Sequence, residues 1–188
     1  MKKTILLAAS VAAFSTTAQA ETSVTLYGLI DTGIGYANVD GSVRNPATGA
    51  RTSFDASRIG STTGTTAGSR WGLRGVEDLG GGLKAIFELE SGISFDTGAQ
   101  NNSTRLFDRS AFVGLGSKYG QLTLGRQTTP MYDTTLQLDP MGFAPRYSLF
   151  KMDDVLAGRA DNAIKYRGIF SGLTVTGLYS FSRTGGGE

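Results

Sequence analysis

The chain contains neither cysteine nor histidine among its 188 residues. Without cysteine there is no disulfide and no thiolate nucleophile, and without histidine there is no imidazole for acid–base catalysis or for zinc binding. These absences exclude most familiar catalytic constellations, and no motif places a Ser–Lys pair or a pair of carboxylates for catalysis. We therefore expect a protein that is not an enzyme and that holds no cofactor and no metal.

Proline and long apolar runs are also scarce. The chain has 4 prolines but 27 glycines, which is about double the ordinary glycine content. A glycine-rich, proline-poor composition is typical of many twisted strands with tight turns and bulges. No run of about 20 apolar residues follows residue 20, so the sequence predicts no transmembrane helix. The strands of a membrane barrel need no such run, and that class stays open.

The first twenty residues have the pattern of a secretory signal peptide. Lys2 and Lys3 precede a short apolar run over residues 5–14, and the small residues of Ala18-Gln19-Ala20 precede Glu21. The apolar run is too short to cross a bilayer as a helix. We therefore expect residues 1–20 to be cleaved and residues 21–188 to form the folded part.

Removal of this segment leaves the chain formally neutral. The signal segment holds two of the 18 basic residues and no acid, so 18 − 2 = 16 basic residues remain against 16 acidic ones. This balance gives no support for a nucleic-acid partner.

Residues 83–95, LKAIFELESGISF, alternate between two kinds of side chain. The odd positions are almost all apolar, and the even positions are mostly charged or small, including Lys84, Glu88 and Glu90. A period of two predicts a strand with one apolar and one hydrated face. Thirteen residues at roughly 3.3 Å each, tilted by about 45°, rise about 30 Å, which is enough to cross an apolar band of about 25 Å. Ordinary strands have about 5 to 6 residues.

Alternation predicts seven strands in all. Short turns at 78–82, 116–119 and 167–172 alternate with long polar loops at 40–68, 96–104 and 128–158. Loops sorted by length in this way are typical of an outer-membrane β-barrel, which has short periplasmic turns and long outer loops. The predicted strands are residues 23–39, 69–77, 83–95, 105–115, 121–127, 159–166 and 173–181.

The fourth predicted strand alternates poorly because apolar residues occur on both of its faces. In residues 105–115 we expect Arg109 on the hydrated face and Leu106 and Phe112 on the outer face.

Three stretches resemble the general diffusion porins of Gram-negative bacteria, in particular the group typical of beta-proteobacteria. They are LYGLIDTGIGY (26–36), SRWGLRGVEDLGGGLKAIFELESG (69–92) and FDRSAFVGLGSKYGQLTLGRQ (107–127). The resemblance covers essentially the whole chain. It implies a sixteen-stranded antiparallel transmembrane β-barrel in the outer membrane, assembled as a homotrimer. It also implies a water-filled channel through which small hydrophilic solutes and ions diffuse passively.

The length of the chain is short for such a barrel. Sixteen strands need on the order of 320 residues, and 188 − 20 = 168 residues follow the signal segment. We therefore expect the chain to be the N-terminal portion of a porin. The third outer loop of such porins folds into the lumen as a constriction, and that loop matches residues 128–158.

The resemblance also assigns the charged residues of the channel. Arg70, Arg109 and Arg159 match the basic cluster at the constriction, and Arg74 lies one wall position beyond Arg70. Asp139 matches an acid of the inward loop, whereas a second loop acid is replaced near Phe143. With fewer loop acids, we expect a preference for anions. We expect the pore to be lined as well by Lys84, Glu88, Glu90, Asp161 and Lys165.

Other function classes stay open at this level. A small closed barrel could serve as an adhesin or membrane anchor without pore activity, since eight-stranded barrels fill their interior with side chains. A soluble secreted β-sandwich that binds carbohydrate or protein is the second alternative, although long strands and sorted loops argue against it. An outer-membrane enzyme is disfavoured by the missing histidine.

Overall fold

The computed structural model describes residues 23–142, 144, 148 and 158–181. The predicted signal peptide and Phe143 lie outside the described residues. The strands are β1 (Ser23–Leu29), β2 (Thr32–Arg44), β3 (Arg51–Thr63), β4 (Arg70–Gly80), β5 (Leu83–Ser94), β6 (Ala99–Gln100), β7 (Ser110–Ser117), β8 (Gly120–Thr128), β9 (Arg159–Phe170) and β10 (Leu173–Ser180), and one helix, α1 (Pro130–Leu138), lies between β8 and β9.

Seven strands form one antiparallel sheet in the order β1-β4-β5-β7-β8-β9-β10, and the short β6 pairs with β5. This confirms the prediction of an all-β antiparallel fold. The sheet is not closed within the described residues, because β1 and β10 lie at its two edges. An open sheet of this kind is what a partial barrel presents.

Strands β2 and β3 form a separate two-stranded sheet. Each has 13 residues, and they pair continuously from Thr32 opposite Thr63 to Arg44 opposite Arg51. The prediction of a loop at 40–68 was therefore wrong over most of its length, and the predicted strand 23–39 is divided between two sheets. Residues 40–63 show no apolar periodicity in the sequence, because both faces of this hairpin are exposed and carry many Ser, Thr and Gly residues.

The register places apolar and charged side chains on opposite faces of the main sheet. Leu26 lies opposite Leu73, Leu73 opposite Leu89, and Leu89 opposite Ala111. On the same outer face Leu26 is 70% exposed and Val113 is 58% exposed. Soluble proteins rarely leave so continuous an apolar surface uncovered. This surface suits contact with lipid.

The opposite face of the sheet, which the sequence predicts to be the hydrated face, is polar, and it is where side chains are buried. The buried residues there are polar or charged and include Glu90, Ser110, Thr123, Gln127 and Lys165. Within the described part of the chain, the only buried apolar side chains are those of Ala144 and Ala163. The hydrophobic core of a soluble domain is thus replaced by polar contacts on the inner face.

The prediction for residues 105–115 was partly wrong. β7 begins only at Ser110, and Phe112 lies opposite Glu88 on the hydrated face rather than outside. Leu106 lies in a turn before the strand. Arg109 lies just before the strand as well, so its side chain is free of the strand alternation and reaches Glu90 on the hydrated face.

A bulge changes the alternation between β8 and β9. The register shifts between Gly125 and Gln127, and Asn162 on β9 has a φ of 46°. Gly125 has a φ of 128°, and a Cβ there would lie 2.2 Å from the backbone oxygen of Ala111. Only glycine fits both the conformation and the space. Bulges often re-aim side chains next to functional sites.

The segment predicted as a long loop begins with the helix α1. Thr129 caps the helix by accepting a hydrogen bond from the backbone N–H of Tyr132, and Pro130 occupies its first turn, where its missing N–H costs nothing. The helix ends at Leu138, and the N–H of Asp139 donates to the backbone oxygen of Thr135. Among the described residues no helix is long and apolar enough to cross a membrane.

Candidate functional site

A cavity of about 490 Å³ lies between the hydrated face of the sheet and α1. Strands β4, β5, β7, β8 and β9 supply most of its wall, and α1 supplies Tyr132 and Leu136 on the other side. The cavity is lined by Ala67, Gly68, Arg70, Glu88, Glu90, Arg109, Ser110, Phe112, Gln121, Thr123, Gln127, Thr128, Tyr132, Leu136, Gly142, Arg159, Lys165 and Arg167.

Glu90 is the carboxylate on which several donors converge. It is 8% exposed, and Arg109 Nε donates to its Oε1 at 2.6 Å. The Tyr27 hydroxyl donates to its Oε2 at 3.0 Å, and Arg70 Nε lies 3.5 Å from that same oxygen. A buried carboxylate is stable only when charges and hydrogen bonds satisfy it. Glu90 therefore fixes two of the three arginines of the predicted basic cluster.

Arg159 is held by contacts of another kind. Its Nε donates to the backbone oxygen of Arg109 at 2.6 Å, and its guanidinium carbon lies 5.3 Å from the ring centre of Tyr132. This geometry is a cation–π contact. No carboxylate in the described part of the chain forms an ion pair with Arg159. Its positive charge therefore stays available to the cavity.

Lys165 joins the strand wall to the helix. Its Nζ lies 2.5 Å from Asp133 Oδ2 in the first turn of α1 and donates to the backbone oxygen of Thr128 at 2.9 Å. Thr128 Oγ1 in turn donates to the other oxygen of Asp133 at 2.7 Å. The side chain of Lys165 is buried to about nine-tenths by these contacts.

The lining has an excess of positive charge. Five cations, namely Arg70, Arg109, Arg159, Lys165 and Arg167, face two carboxylates, Glu88 and Glu90, so the lining carries 5 − 2 = 3 net positive charges. Low-dielectric walls focus such a field into the cavity. The lining that the described residues form is therefore positively charged.

Six residues that the sequence singled out therefore surround one cavity: Arg70, Arg109, Arg159, Glu88, Glu90 and Lys165. Among the lining residues that sequence reasoning missed are Tyr132 and Arg167. Arg167 was assigned to a turn, although it continues the odd-numbered alternation of Lys165 because β9 extends to Phe170. Tyr132 gave no signal in the sequence, since its position depends on the packing of α1.

Four other predicted residues lie outside the cavity lining. Arg74 lies over the ring of Tyr27, 5.1 Å from its centre, and Lys84 is exposed near the short-turn end of β5. The other two are the acids Asp139 and Asp161. The constriction roles of Arg74 and Asp139 and the pore-lining roles of Lys84 and Asp161 stay predictions, as do the channel roles of the six residues around the cavity.

Hydrogen bonds and ion pairs engage both acids. Asp139 is buried and accepts hydrogen bonds from the Ser148 hydroxyl at 2.6 Å and from the Met141 N–H at 2.9 Å. Asp161 pairs with Arg105 at 2.7 Å and with Arg126. These contacts stabilise the loop after α1 and the region around the bulge.

Comparison with known proteins agrees with the geometry. A model of the Gram-negative porin family matches residues 7–188. An outer membrane porin protein of Bordetella pertussis is 46% identical over 187 residues, covering 97% of this chain and 49% of the relative. Outer membrane porin protein 32 of Delftia acidovorans is 37% identical over 177 residues, covering 93% of this chain and 46% of the relative.

A solved structure supports the same assignment. The anion-selective porin from Comamonas acidovorans matches with a TM-score of 0.67 and 33% identity, over 86% of this chain and 47% of that one. The chain thus spans about half the length of the relatives that it matches. Because the family model covers nearly all of it, the chain belongs to the Gram-negative porin family, a family of outer-membrane β-barrel proteins.

Proposed function

We propose that this chain supplies part of the wall of a water-filled outer-membrane channel for the passive diffusion of small hydrophilic solutes and ions. The observation that carries the proposal is the opposite chemistry of the two faces of one sheet: an exposed apolar outer face and an inner face with buried charges around a cavity. Lipid is the natural partner of the first face and a hydrated lumen that of the second. Family and fold point to a channel rather than to an enzyme.

The proposed channel favours anions. The excess of positive charge in the lining supports this preference even without Lys165, which pairs with Asp133. The name of the similar porin from Comamonas acidovorans, which is described as anion-selective, supports it as well. Rings of basic side chains are a common means of anion selection in pores. The proposed constriction is formed by Arg70, Arg109 and Arg159 on the wall and by the segment that begins with α1 on the other side.

The geometry of α1 supports its assignment to an inward-folded loop over residues 128–158. Tyr132 and Leu136 line the same cavity as the strand arginines, so the helix lies over the hydrated face rather than beyond the sheet. The family resemblance further supports a homotrimer as the assembled form, with outer-membrane lipid around it.

Reversal potentials in planar bilayers test the proposed channel. The protein, purified from outer membranes in detergent, is compared with the double variant Arg109→Ser and Arg159→Ser under a salt gradient. We expect the variant to shift the reversal potential toward cations, because two cationic groups leave the lining. Lys118→Ser is the control, since Lys118 lies in the exposed turn between β7 and β8 and outside the cavity lining.

Two outcomes would contradict the proposal. A wild-type protein that conducts no ions would be a barrel without a pore, as in an adhesin or anchor. An unchanged reversal potential in the double variant would remove Arg109 and Arg159 from the selectivity-determining region.

A further inference from the structure

Lys165 and Arg167 lie on the same face of the same strand, two residues apart, and both line the cavity. Their surroundings differ. Lys165 is 8% exposed and binds Asp133 of α1, whereas Arg167 is exposed and forms no ion pair within the described residues. Two basic residues that look equivalent in the sequence therefore have different environments.

The hydrogen bonds of the Lys165 ammonium group are all made with residues at the beginning of α1. Its ammonium group binds Asp133 and the backbone oxygen of Thr128, and Thr128 Oγ1 also binds Asp133. The residue between strand and helix, Thr129, donates its N–H to the backbone oxygen of Gly158 at 3.1 Å, next to the start of β9. The first turn of the helix is thus tied to β9 at two places.

The other end of the helix has a different character. Leu138, its last residue, is 69% exposed, and it does not line the cavity. The ion pair therefore acts on the end of the helix that adjoins the strand wall.

We propose that Lys165 is a positioning residue, a latch that holds α1 against the channel wall through Asp133, and that it contributes little as a free charge to ion selection. This inference rests on the proposed channel function and specifies how the width of that channel is fixed. The bonds of the ammonium group to Asp133 and Thr128 leave it little capacity to meet a permeating anion. Arg167, with no carboxylate partner among the described residues, is the group that faces such an anion.

The energetics of the pair explain why it would act as a latch. When one member of a largely buried ion pair is removed, the other is left as an uncompensated charge. Lys165→Met would leave Asp133 facing the wall without a cation, and Asp133→Asn would leave Lys165 without an anion. Each change therefore favours displacement of the helix toward water, whereas Arg167→Met breaks no described ion pair between wall and helix.

The absence of cysteine allows a direct measurement of the position of the helix. A spin label on Leu138→Cys reacts at a unique, exposed site because the sequence contains no other thiol. The label is placed in the wild-type protein in detergent and in five variants of it: Lys165→Met, Asp133→Asn, the double variant of these two, Lys165→Arg and Arg167→Met. Single-channel conductance and reversal potential are recorded for the same six proteins in planar bilayers.

The latch predicts a specific pattern of results. Lys165→Met and Asp133→Asn increase the mobility of the label and the variance of the open-channel current, and the double variant adds little to either single change because both remove the same bond. Arg167→Met leaves the mobility of the label unchanged and shifts the reversal potential toward cations. Lys165→Arg, which keeps the charge, retains most of the wild-type behaviour.

Other patterns would overturn the latch and leave the channel intact. One is a label whose mobility is unchanged in both Lys165→Met and Asp133→Asn. Another is a Lys165→Met variant that shifts the reversal potential as Arg167→Met does while Asp133→Asn has no effect. If Lys165→Met fails to fold, the mobility of the label in Asp133→Asn still tests the latch, since Asp133 lies in the helix and not in the sheet. Absence of conductance in all proteins would contradict the channel itself, while the label still reports on the latch.

Discussion

At the scale of single residues, the inner face is organised by a few carboxylates that each serve several donors. Glu90 accepts from Arg109 and Tyr27 and lies close to Arg70. A carboxylate in this position neutralises part of the basic cluster and also fixes its geometry. The charge that remains available lies at Arg159 and Arg167, neither of which has an ion pair within the described residues.

Replacement of this carboxylate should raise anion preference. In Glu90→Gln the two arginines keep a neutral acceptor but lose a compensating negative charge, so the net charge of the lining becomes more positive. We expect a shift of the reversal potential toward anions and a broader distribution of channel conductances, measured in planar bilayers. Glu77→Gln on β4, a residue outside the cavity lining, is the control. A shift toward cations would contradict this role of Glu90.

Asp31 connects the hairpin of β2 and β3 to the main sheet. Its carboxylate accepts hydrogen bonds from the backbone N–H groups of Ala67 and Thr66, both at 2.6 Å. These bonds hold the pKa of Asp31 below its ordinary value. They also hold the segment 64–68, which brings Ala67 and Gly68 to the cavity.

The lowered pKa of Asp31 gives a pH dependence of known sign. Because the folded-state pKa lies below the unfolded value of about 3.9, the stabilisation is present above that value and disappears as the pH falls through the folded pKa. We expect Asp31→Asn to speed hydrogen exchange of the Thr66 and Ala67 amides near neutral pH, and the difference from wild type to vanish in acid. Asp40→Asn, on β2, should leave both amides unchanged. A difference that persists in acid would show that the charge is not its cause.

At the scale of elements, the bulge between β8 and β9 lies beside the cavity, between the segments that supply Lys165 and Arg159. Lys165 lies opposite Thr123 on the regular side of the bulge, and Arg159 lies opposite Thr128 beyond it. An uninterrupted alternation would place Thr128 and Gln127 on opposite faces, yet both line the cavity. The bulge precedes both residues, and Thr128 is the last residue of β8, where the strand alternation ends.

Substitution at the bulge should destabilise the sheet. Gly125→Ala places a Cβ 2.2 Å from the oxygen of Ala111 at a φ of 128°, so we expect a loss of more than about 1 kcal/mol in the free energy of unfolding. The midpoint of urea unfolding in detergent, followed by heat-modifiable migration in gels, measures this loss. Gly177→Ala in β10 is the matched control, because nothing lies within 4 Å of its added Cβ. Equal stability of the two variants would contradict the steric argument.

At the scale of the whole molecule, the distribution of polarity is inverted relative to that of a soluble protein. Apolar side chains such as Val113 and Leu124 are half exposed on the outer face, and charged groups are buried on the inner face. In the proposed channel, lipid supplies the apolar surroundings that a protein core would otherwise provide. In lipid every backbone group must be paired, which is why the wall is a sheet with continuous hydrogen bonding.

Two neighbouring residues of β7 test this inversion. Val113→Arg places a charge on the lipid face and should cost about 2–4 kcal/mol near the middle of the bilayer. Phe112→Arg lies beside Glu88 on the lumen side and should be tolerated. The yield of heat-modifiable, membrane-inserted protein distinguishes them. A higher yield of Val113→Arg than of Phe112→Arg would place Phe112 on the outer face, as the sequence alone predicted.

The alternation, the seven strands of the main sheet and the family could all be predicted from the order of the residues. The alternation is a local feature, because a period of two is visible in consecutive residues such as those of β5. It does not depend on which strand is the neighbour. The alternation also identified Glu88, Glu90 and Lys165 as residues of the hydrated face. The family resemblance added the three arginines Arg70, Arg109 and Arg159.

The pairing of these charges, in contrast, depends on the folded arrangement. Glu90 and Arg109 are 19 positions apart, and their contact requires a particular strand register. Lys165 and Asp133 are 32 positions apart, and their contact requires a particular packing of α1. The hairpin of β2 and β3 and the facing of Phe112 were missed for the same reason. Pairing between polar strands and the phase of a strand after a turn are set by the neighbouring strands, which a linear pattern does not contain.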